Sequence, residues 1–171
     1  GNRDSVFVRV ADDPRRPTPA ADREVYIKSL RDFYKEVEKA TTAYNRLKEA
    51  EKTIKLVEDQ FVNVPDSLKK DALKLGAEIR DSIASIKQGF FNQKEVKGIQ
   101  RSENNLNSSL YTAQSYLTAV VGPPTQSAQI ALNNARKRSD DLLARVNALF
   151  GEPWKTYKAK VESIPYSLFK E

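Results

Sequence analysis

Cysteine, histidine and methionine are all absent from this chain of 171 residues. Without cysteine there is no disulfide, no thiolate nucleophile and no cysteine-ligated metal. Without histidine, His-based triads, His-ligated zinc and the Glu-x-x-His sets of helical di-metal proteins are excluded as well. The redox compartment stays open, because a chain with no thiol is stable in either. No run of about 18 apolar residues occurs, so nothing reads as a membrane span. The six glycines are scattered and build no phosphate-binding loop. No basic-then-apolar leader is present. Because the chain starts at Gly1 and lacks Met, its natural N-terminus and any targeting signal are expected upstream. Charge of one sign is not in strong excess either: 29 Lys and Arg against 23 Asp and Glu give +6. That excess is spread along the chain and does not point to nucleic acid.

Helical periodicity dominates what is there. Tyr26, Leu30, Phe33, Val37, Ala40, Tyr44, Leu47, Ile54, Val57 and Phe61 recur in steps of three and four, with Ala50 or Glu51 in the one gap. This is a single apolar seam on a solvated helix. Thr18 is placed to cap it, with Pro19 at the first helical position and Asp22 in the first turn. Val64-Pro65 ends it, since the residue before proline avoids helical angles. Leu68, Ala72, Leu75, Ile79, Ile83 and Ile86 mark a second helix, stopping near Gly89. Asn92 and Glu95 resemble a capping box opening a third, with Val96, Ile99, Leu106, Leu110, Ala113, Leu117 and Val120 on its seam. Gly122-Pro123-Pro124 stops it. Thr125 or Ser127 opens a fourth, carried by Ala128, Leu132, Ala135, Leu142, Val146 and Leu149. Gly151 and Pro153 then separate a fifth segment with Trp154, Tyr157, Val161 and Ile164.

Short connections favour antiparallel neighbours. The expected fold is all-α: an up-down-up-down four-helix bundle with a long first helix and a short fifth helical segment, preceded by an orphan β-strand. At ~1.5 Å per residue the first helix overreaches the others. The fifth segment is therefore expected to run antiparallel to it, packing Trp154 and Tyr157 near Tyr26, Leu30 and Phe33. Both chain ends would then lie at one pole. Residues 1–17 read as a strand-like remnant and linker, and 18–171 as the helical domain.

No constellation of acid, base and nucleophile converges. The pairs Glu36/Glu38, Glu49/Glu51 and Asp140/Asp141 fall between seam positions, on faces that water solvates. Glu103 is the one acid on the third seam, at a position a helix edge explains without a metal. Arg136-Lys137-Arg138 fans out at ~100° per residue and has no interleaved aromatics, unlike a nucleic-acid patch. Asn107-Ser108-Ser109 matches a glycosylation acceptor but sits mid-helix. No catalytic, metal-ligating or cofactor-binding residue is assigned, and no cofactor is expected.

Charge depletion is the more informative signal. From Asn104 to Ala135 there is no Asp, Glu, Lys or Arg, and the polar positions are Asn, Ser, Thr, Gln and Tyr. Loss of charge with tyrosine retained is the composition of an interface core. Asn107, Tyr111, Gln114, Tyr116 and Gln126 are candidate interface residues on this hairpin. Phe90 and Phe91, at a helix end, and Tyr166 and Phe169, after Pro165, are further candidates, which otherwise plug the ends of the bundle.

The N-terminal stretch VFVRVADDPR alternates Val6, Val8 and Val10 with Phe7 and Arg9, the two-residue period of a strand. It is similar to the junction closing the last β-domain of large secreted bacterial proteins related to sortilin, where a strand leads into a helical region. GEPWKTYKAKVESIPYSLFK is similar to the end of many of those chains. In that family a β-propeller of sialidase-like Asp-box repeats comes first, then a small β-sandwich segment, then a helical C-terminal region. The chain holds no Asp box, so no propeller residue carries over. The resemblance implies a non-catalytic helical C-terminal domain of a secreted or periplasmic protein. Such a domain would dock on upstream β-domains of the same polypeptide or on another protein. The alternative is a free-standing helical adaptor gripping a protein partner through the uncharged 104–135 hairpin.

Overall fold

A computed structural model of the chain describes residues 3–11, 15, 18–91 and 105–165. They form five α-helices: α1 (Ala20–Gln60), α2 (Asp66–Phe90), α3 (Leu106–Thr118), α4 (Gln126–Leu149) and α5 (Glu152–Glu162), with a 3-10 turn, Phe61–Asn63, between the first two. The described residues include no strand, so the protein is all-helical there. Residues 3–11 adopt no regular structure and are exposed throughout. Val6, Val8 and Val10 alternate in sequence as a strand would, but no strand edge among the described residues completes a ladder with them. The expected third-helix start at Asn92 and Glu95, with Val96, Ile99 and Glu103, lies outside the described residues.

The seam of α1 is buried much as its period demands. Phe33, Ala40, Leu47 and Ile54 face inward, and Ala50 fills the gap. Glu51, the other residue weighed for that gap, reaches sideways to Lys87 on α2 at 2.8 Å. The start of α1 differs from the expected capping. Pro19 itself stands at the cap position, no side-chain cap bond forms, and the Thr18 carbonyl accepts from Arg23 at 3.0 Å.

Cross-helix pairs give the direction of every element. Between α1 and α2, Glu58 meets Arg80 at 2.8 Å and Tyr44 meets Phe90 with ring centroids 5.6 Å apart, so the two run antiparallel. On α3, Leu106 joins the core with Ala40 and Phe90, while Ala113 and Leu117 join Phe33 farther down. So α3 continues in the direction of α2 instead of reversing it. Helix α4 returns upward, parallel to α1: Arg136 lies 3.9 Å from Glu36, and the Arg46 guanidinium sits 3.8 Å over the Phe150 ring. Helix α5 carries on upward, with Lys160 3.1 Å from Asp71 and Ile164 in a cluster with Phe61, Val64 and Ala72.

The described helices therefore make three columns instead of four. α1, with 41 residues, is one column of about 60 Å. α2 and α3, with 25 and 13, stack end to end as the second; α4 and α5, with 24 and 11, form the third. The overhang that the four-column expectation left on α1 disappears, because each of the other columns is nearly as long. Trp154 and Tyr157 accordingly do not pack on Tyr26, Leu30 and Phe33. Tyr157 lies against Gly76, where its ring carbon is 3.2 Å from the place a Cβ would take, and against Ile54. That burial, with the Glu58 carboxylate nearby, pushes the Tyr157 phenol up to about 12. α1 starts at one pole and α5 finishes at the other, so the two ends of the helical body are separated.

The break between α4 and α5 is local chemistry. The Gly151 N–H donates to the Ala148 carbonyl at 3.1 Å, tightening the last turn, and Pro153 has no N–H with which to continue α4. Phe150, Trp154 and Tyr157 carry contact across the break, with successive centroids 5.4 and 5.7 Å apart.

Candidate interaction surface

The α3–α4 hairpin forms the pole at which α1 begins. Its two helices start on side-chain caps. Asn105 accepts from the Ser108 N–H at 2.9 Å, and Thr125 accepts from the Ala128 N–H at 3.2 Å. The Thr125 start agrees with one of the two sites expected for the fourth helix. Arg138 donates to the Asn105 carbonyl at 3.2 Å and so ties α4 to the first turn of α3. The basic run is thereby divided, Arg136 turning toward α1 and Arg138 toward α3.

Inside the hairpin, Phe33 of α1 meets Ala113, Leu117, Ala131 and Ala135, with Leu30, Val37, Leu110 and Leu132 half-buried around them. Small residues let α3 and α4 approach closely. Outside, α3 has an unusual polar face. Ser109, Thr112, Ser115 and Thr118 each donate the hydroxyl to the carbonyl four residues back, at 2.9 to 3.2 Å. Those donors are spent within the helix, so the face holds water through fewer strong groups than a charged one would. Tyr111 is 71% exposed, Val120 64% and Ile130 54%, and Tyr116 and Val121 are about half exposed. Val25 and Ile27, on the first turns of α1, are exposed as well.

Five of the nine residues expected at an interface lie on this hairpin. Asn107, Tyr111 and Tyr116 are exposed on α3, and Gln126 on the first turn of α4. Gln114 is half-buried and donates its amide to the Tyr34 hydroxyl at 3.4 Å. Phe90 is not available to a partner: it is 2% exposed and belongs to the main core. Its helix carries one residue past Gly89, and that residue is Phe90 itself, whose ring lies against Tyr44. Phe91 is partly exposed and stands edge-on to Tyr44 at 5.1 Å. Tyr166 and Phe169 lie outside the described residues. Val120, expected on the third seam, is past the end of α3 and faces solvent. Val121, Ile130 and the α1 pair Val25 and Ile27 were not singled out from the sequence; only the loss of charge around the first two marked them.

Concave features elsewhere are shallow or small. Phe90, Phe91, Tyr44, Leu106 and Leu110 line a cavity of about 260 Å³ at the junction of α2 and α3, with Thr41 and Asn107 also on its wall. A groove of about 460 Å³ runs between α1 and α4 over Ala43 and Val146, edged by Lys35, Lys39 and Arg46. Three of the acidic residues weighed for catalysis meet lysines: Glu36 with Lys39 at 2.9 Å, and Glu49 with Lys52 and Glu51 with Lys87 at 2.8 Å. Among the described residues no group of three or more acids could hold a metal ion, and no helix is long and apolar enough to cross a membrane.

Compared with known proteins, the chain shows no significant match to any family model, curated protein or solved structure.

Proposed function

We propose that this chain is a non-catalytic docking module, a helical rod whose uncharged 104–135 hairpin surface seats against a β-domain of the same polypeptide. The observation that carries the reading is the coincidence of two features at one end. The uncharged α3–α4 hairpin, with Tyr111, Tyr116, Val120 and Ile130 exposed, stands where α1 begins, and α1 is entered from the exposed apolar segment Val6–Val10. A domain connected through that segment is delivered beside the hairpin. Burying neutral Asn, Gln and Tyr costs far less than burying unpaired charges, so this is the end of the rod best suited to desolvation. The resemblance to sortilin-related propeller proteins extends the proposal to a secreted or periplasmic parent, with β-propeller and β-sandwich domains upstream.

The test has two arms. The reading frame preceding this chain is expected to encode a long β-rich segment with Asp boxes; a start codon directly before Asn2 defeats the intramolecular form. In hydrogen exchange, the chain joined to that segment should protect α3 and the first turns of α4 relative to the chain alone. Unchanged exchange there, or protection at the opposite pole around Phe61 and Ile164, defeats the assignment of the docking surface.

A further inference from the structure

Residues 5–10 present six consecutive backbone units and an apolar face to water at once. Val6, Val8 and Val10 are 78 to 92% exposed, and Phe7, on the other face, is fully exposed. An extended segment with alternating apolar side chains finds both its backbone hydrogen bonds and its side-chain burial on the edge of another strand. None exists among the described residues, and two copies of the purified chain offer each other such an edge.

We infer that the N-terminal segments of two copies of this chain pair antiparallel, and that the resulting two-stranded ribbon lays its valine face on the uncharged hairpin surfaces. The segment is self-complementary about Phe7. In that register Val6 lies opposite the second copy's Val8, Val8 opposite its Val6, Phe7 opposite Phe7, and Ser5 opposite Arg9. One face of the ribbon then holds the central valines of both copies and the other an aromatic pair. The arrangement is two-fold, the commonest symmetry of homo-oligomers. A two-stranded ribbon is marginal alone and needs an apolar surface beneath it. Val120, Val121 and Ile130 supply that surface at the end of the rod where α1 starts. Charge favours this site over any other for self-association. Each copy carries +6, and the hairpin from Asn104 to Ala135 is where like charges do not oppose contact.

The inference shares its pole with the docking proposal but is read on the purified chain alone, so either can fail without the other. Sedimentation equilibrium should show a mass rising from 19.3 kDa toward twice that value at concentrations on the order of 0.1 mM. Val8→Asp, in the exposed segment, should restore the monomer with an unchanged helical circular dichroism spectrum. Val120→Lys should weaken association at least about tenfold by placing a charge under the ribbon. Since the chain has no cysteine of its own, single cysteines report the register cleanly. Phe7→Cys should form an intermolecular disulfide readily, because directly opposed residues stand about 4.5–5.5 Å apart. Val10→Cys should not, because the two copies of residue 10 are about 20 Å apart in this register. A chain that stays monomeric, a dimer indifferent to Val8→Asp or Val120→Lys, or equal cross-linking at positions 7 and 10 overturns the inference.

Discussion

The two ends of the rod are held together differently. Toward the α1–α2 turn, large side chains fill the core: Ile54, Ile79, Ile83, Leu149 and Tyr157, then Phe61 and Ile164. Their flanks are joined by Glu51–Lys87, Glu58–Arg80 and Asp71–Lys160, each crossing between helices. At the hairpin end, Phe33 and Leu117 are the only large buried side chains in a cluster completed by alanines. The described surface of α3 carries no charge with which to form an ion pair. One end thus ties its flanks by ion pairs between helices, whereas the other closes by close approach of small residues and leaves a neutral exterior on α3 and the first turns of α4. Desolvating a paired ionic surface is costly, and desolvating an amide and hydroxyl surface is much less so. The end with the sparser core is therefore the one suited to be covered.

The sharpest way to test this contrast is to remove the one aromatic residue in the small cluster. Phe33→Ala should lower stability by about 3–5 kcal/mol in chemical denaturation. Hydrogen exchange should show α3 opening while α2 keeps its protection. Equal loss of protection in α2 and α3 would mean that the two ends unfold as one unit, and the contrast would be one of composition only.

At the other end the matching probe is pH. The Tyr157 phenol is held neutral by burial and the Glu58 charge, with its pKa pushed up to about 12 from an ordinary 10. Below the ordinary value both folded and unfolded chains keep the proton, and the contribution is complete. Between the two values the unfolded chain releases the proton and the folded one does not, so stability falls as pH rises. Denaturation curves measured at about pH 9 and about pH 11.5 should separate for the natural chain by more than for Tyr157→Phe. The same pH change in a Phe33→Ala background should leave that difference intact if the ends are independent.

Smaller effects refine the hairpin itself. Asn105→Ala removes the α3 cap and should cost about 1 kcal/mol, with Asn105→Asp recovering most of it. A loss no greater than that of an exposed α3 substitution would show that Arg138, bonded to the Asn105 carbonyl, suffices to fix the turn. Ser139 is expected to change stability in the opposite direction. It is 1% exposed, and its hydroxyl has no hydrogen-bond partner among the described residues. Ser139→Ala relieves that buried group and should raise the melting temperature, by an amount equivalent to about 1 kcal/mol or less. A fall would mean that the hydroxyl is satisfied when the chain is in solution.

Much of this was legible along the chain, for reasons that differ by residue. The α1 seam is readable because a helix repeats every 3.6 residues, so an apolar stripe identifies both the helix and its buried face. Thr125 was readable as a cap because its oxygen can reach an N–H three residues on. Asn105 has the same chemistry, but it was hidden inside what looked like a continuous third seam. The hairpin surface was visible as missing charge, while Ile130 was passed over because it lies off the seam, among polar neighbours. Phe90 plugs the core, the second of the two roles its sequence position offered, because α2 runs through Gly89 and ends on Phe90 itself.

Periodicity determined, without any coordinates, that the described body is helical, which side of each helix is buried and roughly where the helices end. It could not determine the direction the chain takes at each break. A hydrophobic stripe fixes rotation about a helix axis and says nothing about whether the next helix reverses beside it or continues beyond it. That choice was made by contacts between residues far apart in the chain: Leu106 with Ala40 and Phe90, Arg136 with Glu36, Tyr157 with Gly76. They turn a four-column bundle into three columns, set α5 at the far pole, and leave the uncharged hairpin at the pole where α1 begins.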